Sequence, residues 1–184
     1  MEAAAIRAVA EDVASRAQHS RGNLSPPPPV GDYTLATTDS LRRQHHAASL
    51  LGTRLRDLVD HYRGGGDAYR VSLQLARLHG LLRLHLIAED AALYPALIGS
   101  GDARTVALAR EMQAETGLLA EGLERFMTRW SSSALIGSDF PAFRAELGEL
   151  LDQLVARIER EDNELYPLAD ALAAEKADER RRVA

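Results

Sequence analysis

The sequence predicts an all-α fold: an up-down-up-down four-helix bundle of two duplicated helical hairpins, preceded by an N-terminal helix and a Pro-rich extension. Three observations carry this. Leu and Ala dominate, with many Arg and Glu, while only 5% of the 184 residues are aromatic. Such residues lose little rotamer freedom in a helix. Four long segments keep helical apolar spacing between Gly-, Ser- and Pro-rich breaks. Finally, "HLIAEDAALYP" (His85–Pro95) returns as "RIEREDNELYP" (Arg157–Pro167), matching through Glu-Asp-x-x-Leu-Tyr-Pro.

The segment "MEAAAIRAVAEDVASRAQHS" suits a short helix. It leads into "RGNLSPPPPVGDYTLATT", where four prolines lack amide donors and fix φ near the polyproline value. Residues 1–38 therefore read as a helix and a connector. Over residues 21–38 a stiff linker is favoured above a proline-rich ligand for a protein partner. The bundle spans 39–175. Its first helix runs from about Leu41 to Tyr62, with Asp39 or Ser40 as N-cap. "RGGGD" ends it, because three glycines cost too much backbone entropy. The second helix runs from about Tyr69 to Tyr94, with Pro95 at its end, and "IGSGD" breaks the chain. The third covers about Ala103 to Trp130. After "SSSALIGSDFP", Ser138 or Asp139 caps the fourth, with Pro141 in the first turn, and it continues to about Glu175. Residues 176–184 read as a fraying charged tail.

Composition narrows the function. The net charge of −5 supplies no general attraction to nucleic acid or acidic lipid. The absence of cysteine removes disulfides, thiolate metal sites and thiol catalysis. No apolar run approaches the roughly 20 residues that span a bilayer, and the N-terminus does not read as a signal peptide. A soluble, cytoplasmic protein is expected, without nucleic-acid or membrane partners.

Chemistry gathers on the helical stripes. His85 and Glu89 are four apart and share a helix face, following Leu78 and Leu82. An imidazole and a carboxylate so placed can share a metal ion, and bundle cores commonly hold such sites. His45 lies on the stripe Leu41, His45, Ala48, Gly52, Leu55. His46 sits about 100° round the helix, so His45 is favoured as the inward residue with His46 in reserve. On the fourth helix, Leu150, Leu154, Arg157 and Glu161 form the matching stripe. Several ionisable groups buried at one level are costly unless paired or metal-bound. Tyr94 and Tyr166 read as half-buried rings closing helix ends, in preference to phenols acting as ligand or proton donor.

These residues carry a resemblance. "RQHH" in helix one, "HLIAEDAALYPAL" in helix two, and the repeat over residues 108–168 resemble the hemerythrin-like, HHE cation-binding family across about residues 40–172. The resemblance implies a four-helix bundle around two non-heme irons. Each hairpin then supplies one His from its first helix and His-x-x-x-Glu from its second, and the two carboxylates bridge the metals. Members bind or sense dioxygen, iron or redox state, and some degrade peroxide or nitric oxide. Transferred residue by residue, the ligands are His45, His85, Glu89 and Glu161. Met112 and Arg157 stand at the remaining His positions.

Those two departures argue against a standard di-iron centre. A thioether is a soft, weak donor for iron, and Arg stays protonated. Two readings follow. In one, a single Fe(II), Mn(II) or Zn(II) is held by His45, His85, Glu89 and Glu161, with Arg157 near the missing cation's place. Glu115, on the stripe Leu108, Met112, Glu115, Leu119, then adds a ligand or accepts from Arg157. In the other, no metal binds. Arg157 then pairs with Glu161, Glu89 or Glu115, and the old site is a polar pocket for a small molecule, a partner protein or acid/base catalysis. A small rotation that brought Ile158 inward would instead turn Arg157 to solvent.

Overall fold

The computed structural model describes residues 33–183, with side chains from Thr38 onward. The N-terminal helix and most of the Pro-rich connector expected over residues 1–38 lie outside the described residues. Helix α1 spans Tyr33–Asp60, α2 Gly66–Ala88, α3 Tyr94–Ile98, α4 Ala103–Arg129, α5 Ser133–Ser138, α6 Phe140–Arg160 and α7 Tyr166–Val183. A π-helical turn, Glu89–Leu93, joins α2 to α3, and a second, Glu161–Leu165, joins α6 to α7. Four long rods result, and they form the expected up-down-up-down bundle.

The connections have local causes. The chain leaves α1 through Gly64 and Gly65, whose φ values of 91° and 53° suit a residue without Cβ. Asp102 caps α4 by accepting from the Thr105 amide, and Asp139 caps α6 by accepting from Ala142. Several expected boundaries move. Asp39 and Ser40 lie inside α1 rather than capping it, since the helix already begins at Tyr33. The stretch after Trp130 is not simply a break. Ser132 caps the short α5, and Ile136 buries completely. The last helix does not fray at Glu175 but runs to Val183.

Pro95 and Pro167 do not end their helices. In each π turn the amide of Tyr94 or Tyr166 reaches back five residues, to the carbonyl of Glu89 or Glu161. The wider turn separates the proline ring from the carbonyl it would otherwise strike, and proline has no amide to misplace. The turn also sets the faces. In an α-helix, positions five apart point about 140° apart. Here Glu89, Leu93, Tyr94 and Leu97 are all buried, as are Glu161, Leu165, Tyr166 and Ala169.

Two apolar clusters fill the bundle. One, around Leu55, Leu75, Trp130, Ile136 and Phe143, occupies the end near the α1–α2 connection. The other, around Leu41, Leu97, Met112, Tyr94 and Tyr166, occupies the opposite end. Between them lies a polar layer.

Candidate metal centre

The polar layer holds His45, His85, Glu89, Arg157 and Glu161, each at most 9% exposed. His45 comes from α1 and faces inward, whereas His46 is exposed. His85 closes α2, Glu89 opens the first π turn, Arg157 lies near the end of α6, and Glu161 opens the second π turn.

His45 Nε2 lies 2.9 Å from Glu161 Oε2 and 3.2 Å from His85 Nε2. His85 Nε2 is 3.8 Å from Glu161 and 3.7 Å from Glu89 Oε1. One donor atom from each of His45, His85 and Glu161 falls within 4.8 Å of the others. Glu89 stands beside this group. Its Oε1 accepts a 3.0 Å hydrogen bond from Tyr166 OH, while its buried Oε2 has no hydrogen-bond partner among the described residues.

The outer ring nitrogens fix the imidazoles. His45 Nδ1 donates to Asp162 Oδ1 at 2.9 Å, and His85 Nδ1 to Gln44 Oε1 at 3.1 Å. With Nδ1 carrying a proton, both Nε2 atoms turn their lone pairs inward unless a second proton is bound. Acceptors behind ligating imidazoles serve this purpose in metal sites. Sequence reasoning missed both residues. The signal for Asp162 was present, because it is the Asp of the repeated Glu-Asp pair. Gln44 adjoins His45 and carried no separate sign.

The two carboxylates are driven apart. Burial, then the charge of Glu161, pushes Glu89 up to about 8, against opposing contributions from Tyr166, Arg157 and His45. Burial also disfavours ionised Glu161, yet hydrogen bonds from His45 and His85 and the charges of Arg157 and His45 hold it down to about 2. Burial works against the His45 cation, but Glu161 and then Asp162 raise its pKa overall. Without a metal, then, burial favours a proton on Glu89, and Glu161 and Asp162 favour the protonated form of His45.

Arg157 does not turn to solvent. Its Nε donates to Glu161 Oε1, Nη1 to Glu115 at 3.1 Å, and Nη2 to Tyr94 OH at 2.6 Å and Thr116 Oγ1 at 2.7 Å. Glu89, a third suggested partner, makes no hydrogen bond to it. Ile158 is only half-buried. Glu115 is itself half-exposed and also accepts from Arg160 at 2.7 Å. Met112 is fully buried within the apolar cluster.

The tyrosines do more than close helix ends. Both are fully buried, and their hydroxyls enter the polar layer. Tyr166 OH reaches His45 Nε2 at 3.1 Å as well as Glu89, while Tyr94 OH joins Arg157 and Thr116. The two hydroxyls thus divide the layer into an imidazole side and a guanidinium side. A small cavity of about 20 Å³ abuts it, walled by leucines and Ile158 and floored by His45, His85, Arg157 and Glu161.

The donor set fits a divalent cation: two imidazole nitrogens with their tautomers fixed, one ionised carboxylate, and a second carboxylate with an unpartnered oxygen. Comparison with known proteins agrees. The family model described as the hemerythrin HHE cation binding domain matches residues 36–169. No curated protein and no solved structure matches the chain. No described helix is long and apolar enough to cross a membrane.

Proposed function

Because this chain belongs to the hemerythrin HHE cation-binding domain family, we propose that His45, His85 and Glu161, with Glu89 beside them, hold one metal ion. We propose further that the ion is non-heme iron, and that a cytoplasmic protein uses it to handle or sense dioxygen, peroxide or nitric oxide. The observation that carries the reading is the pair of inward-facing Nε2 atoms, each fixed from behind through Nδ1. Iron at such a set, with a coordination position left open, supplies one-electron chemistry toward small diatomic molecules.

The chain's own residues do the rest. Asp162 and Gln44 orient the imidazoles. Tyr166 OH holds a proton between Glu89 and His45. The leucine-walled cavity excludes bulk water and leaves room for a molecule of about water size. Arg157 compensates the charge of Glu161 on the side where the repeat would place a second metal, which favours one ion over two. Manganese or zinc would suit the same donors, and zinc would leave a structural rather than a redox site.

Elemental analysis of purified protein tests this. One iron per chain is expected, with affinity lowered at least about tenfold in His85→Ala, corresponding to ~1.4 kcal/mol. A metal-free protein that takes up no iron under reducing conditions would refute the reading. A second reading has support of its own. His45, His85, Glu161 and Arg157 already have partners without any ion. A polar pocket for a small molecule, a protein partner or acid/base chemistry would then be the function, and chelators would change neither stability nor activity.

A further inference from the structure

The polar layer is sealed from above and below by the two apolar clusters, so a small molecule must reach it from the side. The four helices are not equally close. α1 and α2 pack intimately, while α4 and α6 approach each other at few points. An open groove of about 410 Å³ follows that looser seam, bordered by Glu115, Leu118, Leu119, Ala156, Arg157 and Arg160. The inner cavity beside His45 and His85 reaches the same seam from inside, through Leu119, Leu123, Leu150, Leu154 and Ile158. Two side chains line both spaces: Leu119 and Arg157.

We infer that the α4–α6 seam is the access route to the His45–His85–Glu161 group, and that Leu119 and Arg157 form its threshold and set what passes. The two parts of the threshold differ in stiffness. Arg157 is tied to Glu161, Glu115, Tyr94 and Thr116, so its guanidinium is a fixed post. Leu119 is half-buried, and a rotamer change of an aliphatic side chain takes only picoseconds to nanoseconds when exposed. Leu119 is therefore the moving part. Its size, rather than the site chemistry, limits admission to small uncharged molecules, because the inner space is about 20 Å³ and walled by aliphatic side chains. The route itself stands on geometry. Only the identity of the traveller rests on the proposed metal reading.

The test uses the full chain in its metal-free form, with heavy water as a probe small enough for the inner space, the exchange of each imidazole C2 hydrogen for deuterium as the modification and peptide mass spectrometry as the readout. Exposed His46 and His61 serve as internal references. Leu119→Ala is expected to speed modification of His85 about tenfold, and Leu119→Trp to slow it about tenfold, a barrier change of ~1.4 kcal/mol each way. His46 and His61 should keep their wild-type rates. Leu51→Ala, a half-buried leucine on α1 away from the seam, controls for general loosening. No response of His85 to either Leu119 change would overturn the route, as would equal acceleration in Leu51→Ala and Leu119→Ala. Circular dichroism confirms that each variant is folded. If Leu119→Trp does not fold, the contrast between the two alanine variants decides alone. Metal analysis of the protein as purified, before any metal is removed, separates the two ideas, since a protein that carries and takes up no metal but shows the expected His85 rates loses only the metal reading.

Discussion

Glu89 and Glu161 occupy equivalent places in the repeat, yet their surroundings give them opposite protonation. Glu161 has His45, His85 and Arg157 around it, whereas among the described residues Glu89 has only the Tyr166 hydroxyl within hydrogen-bond distance. The consequence for stability has a definite sign. Glu89 titrates near 8 when folded and at its ordinary lower value when unfolded. Its contribution is therefore fully present below about 4.5 and is lost as pH rises through about 8. Glu161 does the reverse: its contribution is present above about 4.5 and is lost as pH falls through about 2. His45, with its pKa raised, adds to the alkaline loss. Metal-free protein should thus lose stability, on the order of a few kcal/mol, between pH 5 and 8. Glu89→Gln should remove most of that loss, read by urea denaturation across the range. An unchanged slope in the variant would show that Glu89 is not the group responsible. Metal binding must displace the same protons, so affinity should rise with pH over this window.

At the level of helices, the sequence made most of the fold legible, because apolar spacing, glycine breaks and capping residues are local signals. Asp139 could be placed at a cap from its position before Pro141. Other features depend on geometry that no short window contains. The π turns appear in the sequence only as Glu-Asp-x-x-Leu-Tyr-Pro, and a proline there reads as a stop. Only the widened turn shows why the helix continues. The extension of α1 back to Tyr33 was hidden because Thr38 and Arg42 gain partners from Asp170, far along the chain. Gly52 is buried on the inward stripe of α1. A Cβ there would meet Leu151 Cδ2 of α6 at 3.4 Å, the movable end of a side chain. Gly52→Ala should therefore raise stability by up to ~1 kcal/mol, the helix-propensity difference, because Leu151 can give slightly. Gly52→Leu has no such space and should lower it by ~1–3 kcal/mol through overpacking. Thermal or urea melts measure both, and a marked loss in the alanine variant would mean that α1 and α6 are locked at this crossing.

Across the whole molecule, a polar layer divides two apolar clusters, and its own two sides are unequal. The residue types of this layer were legible from spacing and repetition. Part of what they touch was legible too, since Arg157 does pair with Glu161 and Glu115, but His45 and Tyr166 find side-chain partners 40 to 121 positions away, which no local spacing shows. The inequality follows the repeat. On one side stand His45 and His85; at the corresponding places on the other stand Met112 and Arg157. Ser49 and Thr116, also corresponding, each donate to the carbonyl four residues back, so the backbone setting is alike on both sides. On the proposed single-ion reading, chemistry rather than architecture limits the metal count. Replacing Arg157 alone would leave Glu161 short of a buried partner, at a cost of about 3–5 kcal/mol. Replacing both residues, Met112→His with Arg157→His, supplies two nitrogen donors at the places that correspond to His45 and His85 and removes the competing cation. The double variant should be less stable than wild type when metal-free, regain stability when iron is added, and bind two irons per chain where one is proposed for the wild type. Arg157→His alone should not reach two, because Met112 still withholds a nitrogen. Elemental analysis paired with thermal melts reads both effects. If the double variant folds but stays at one iron, the spacing of the helices, rather than the guanidinium and thioether, excludes the second ion.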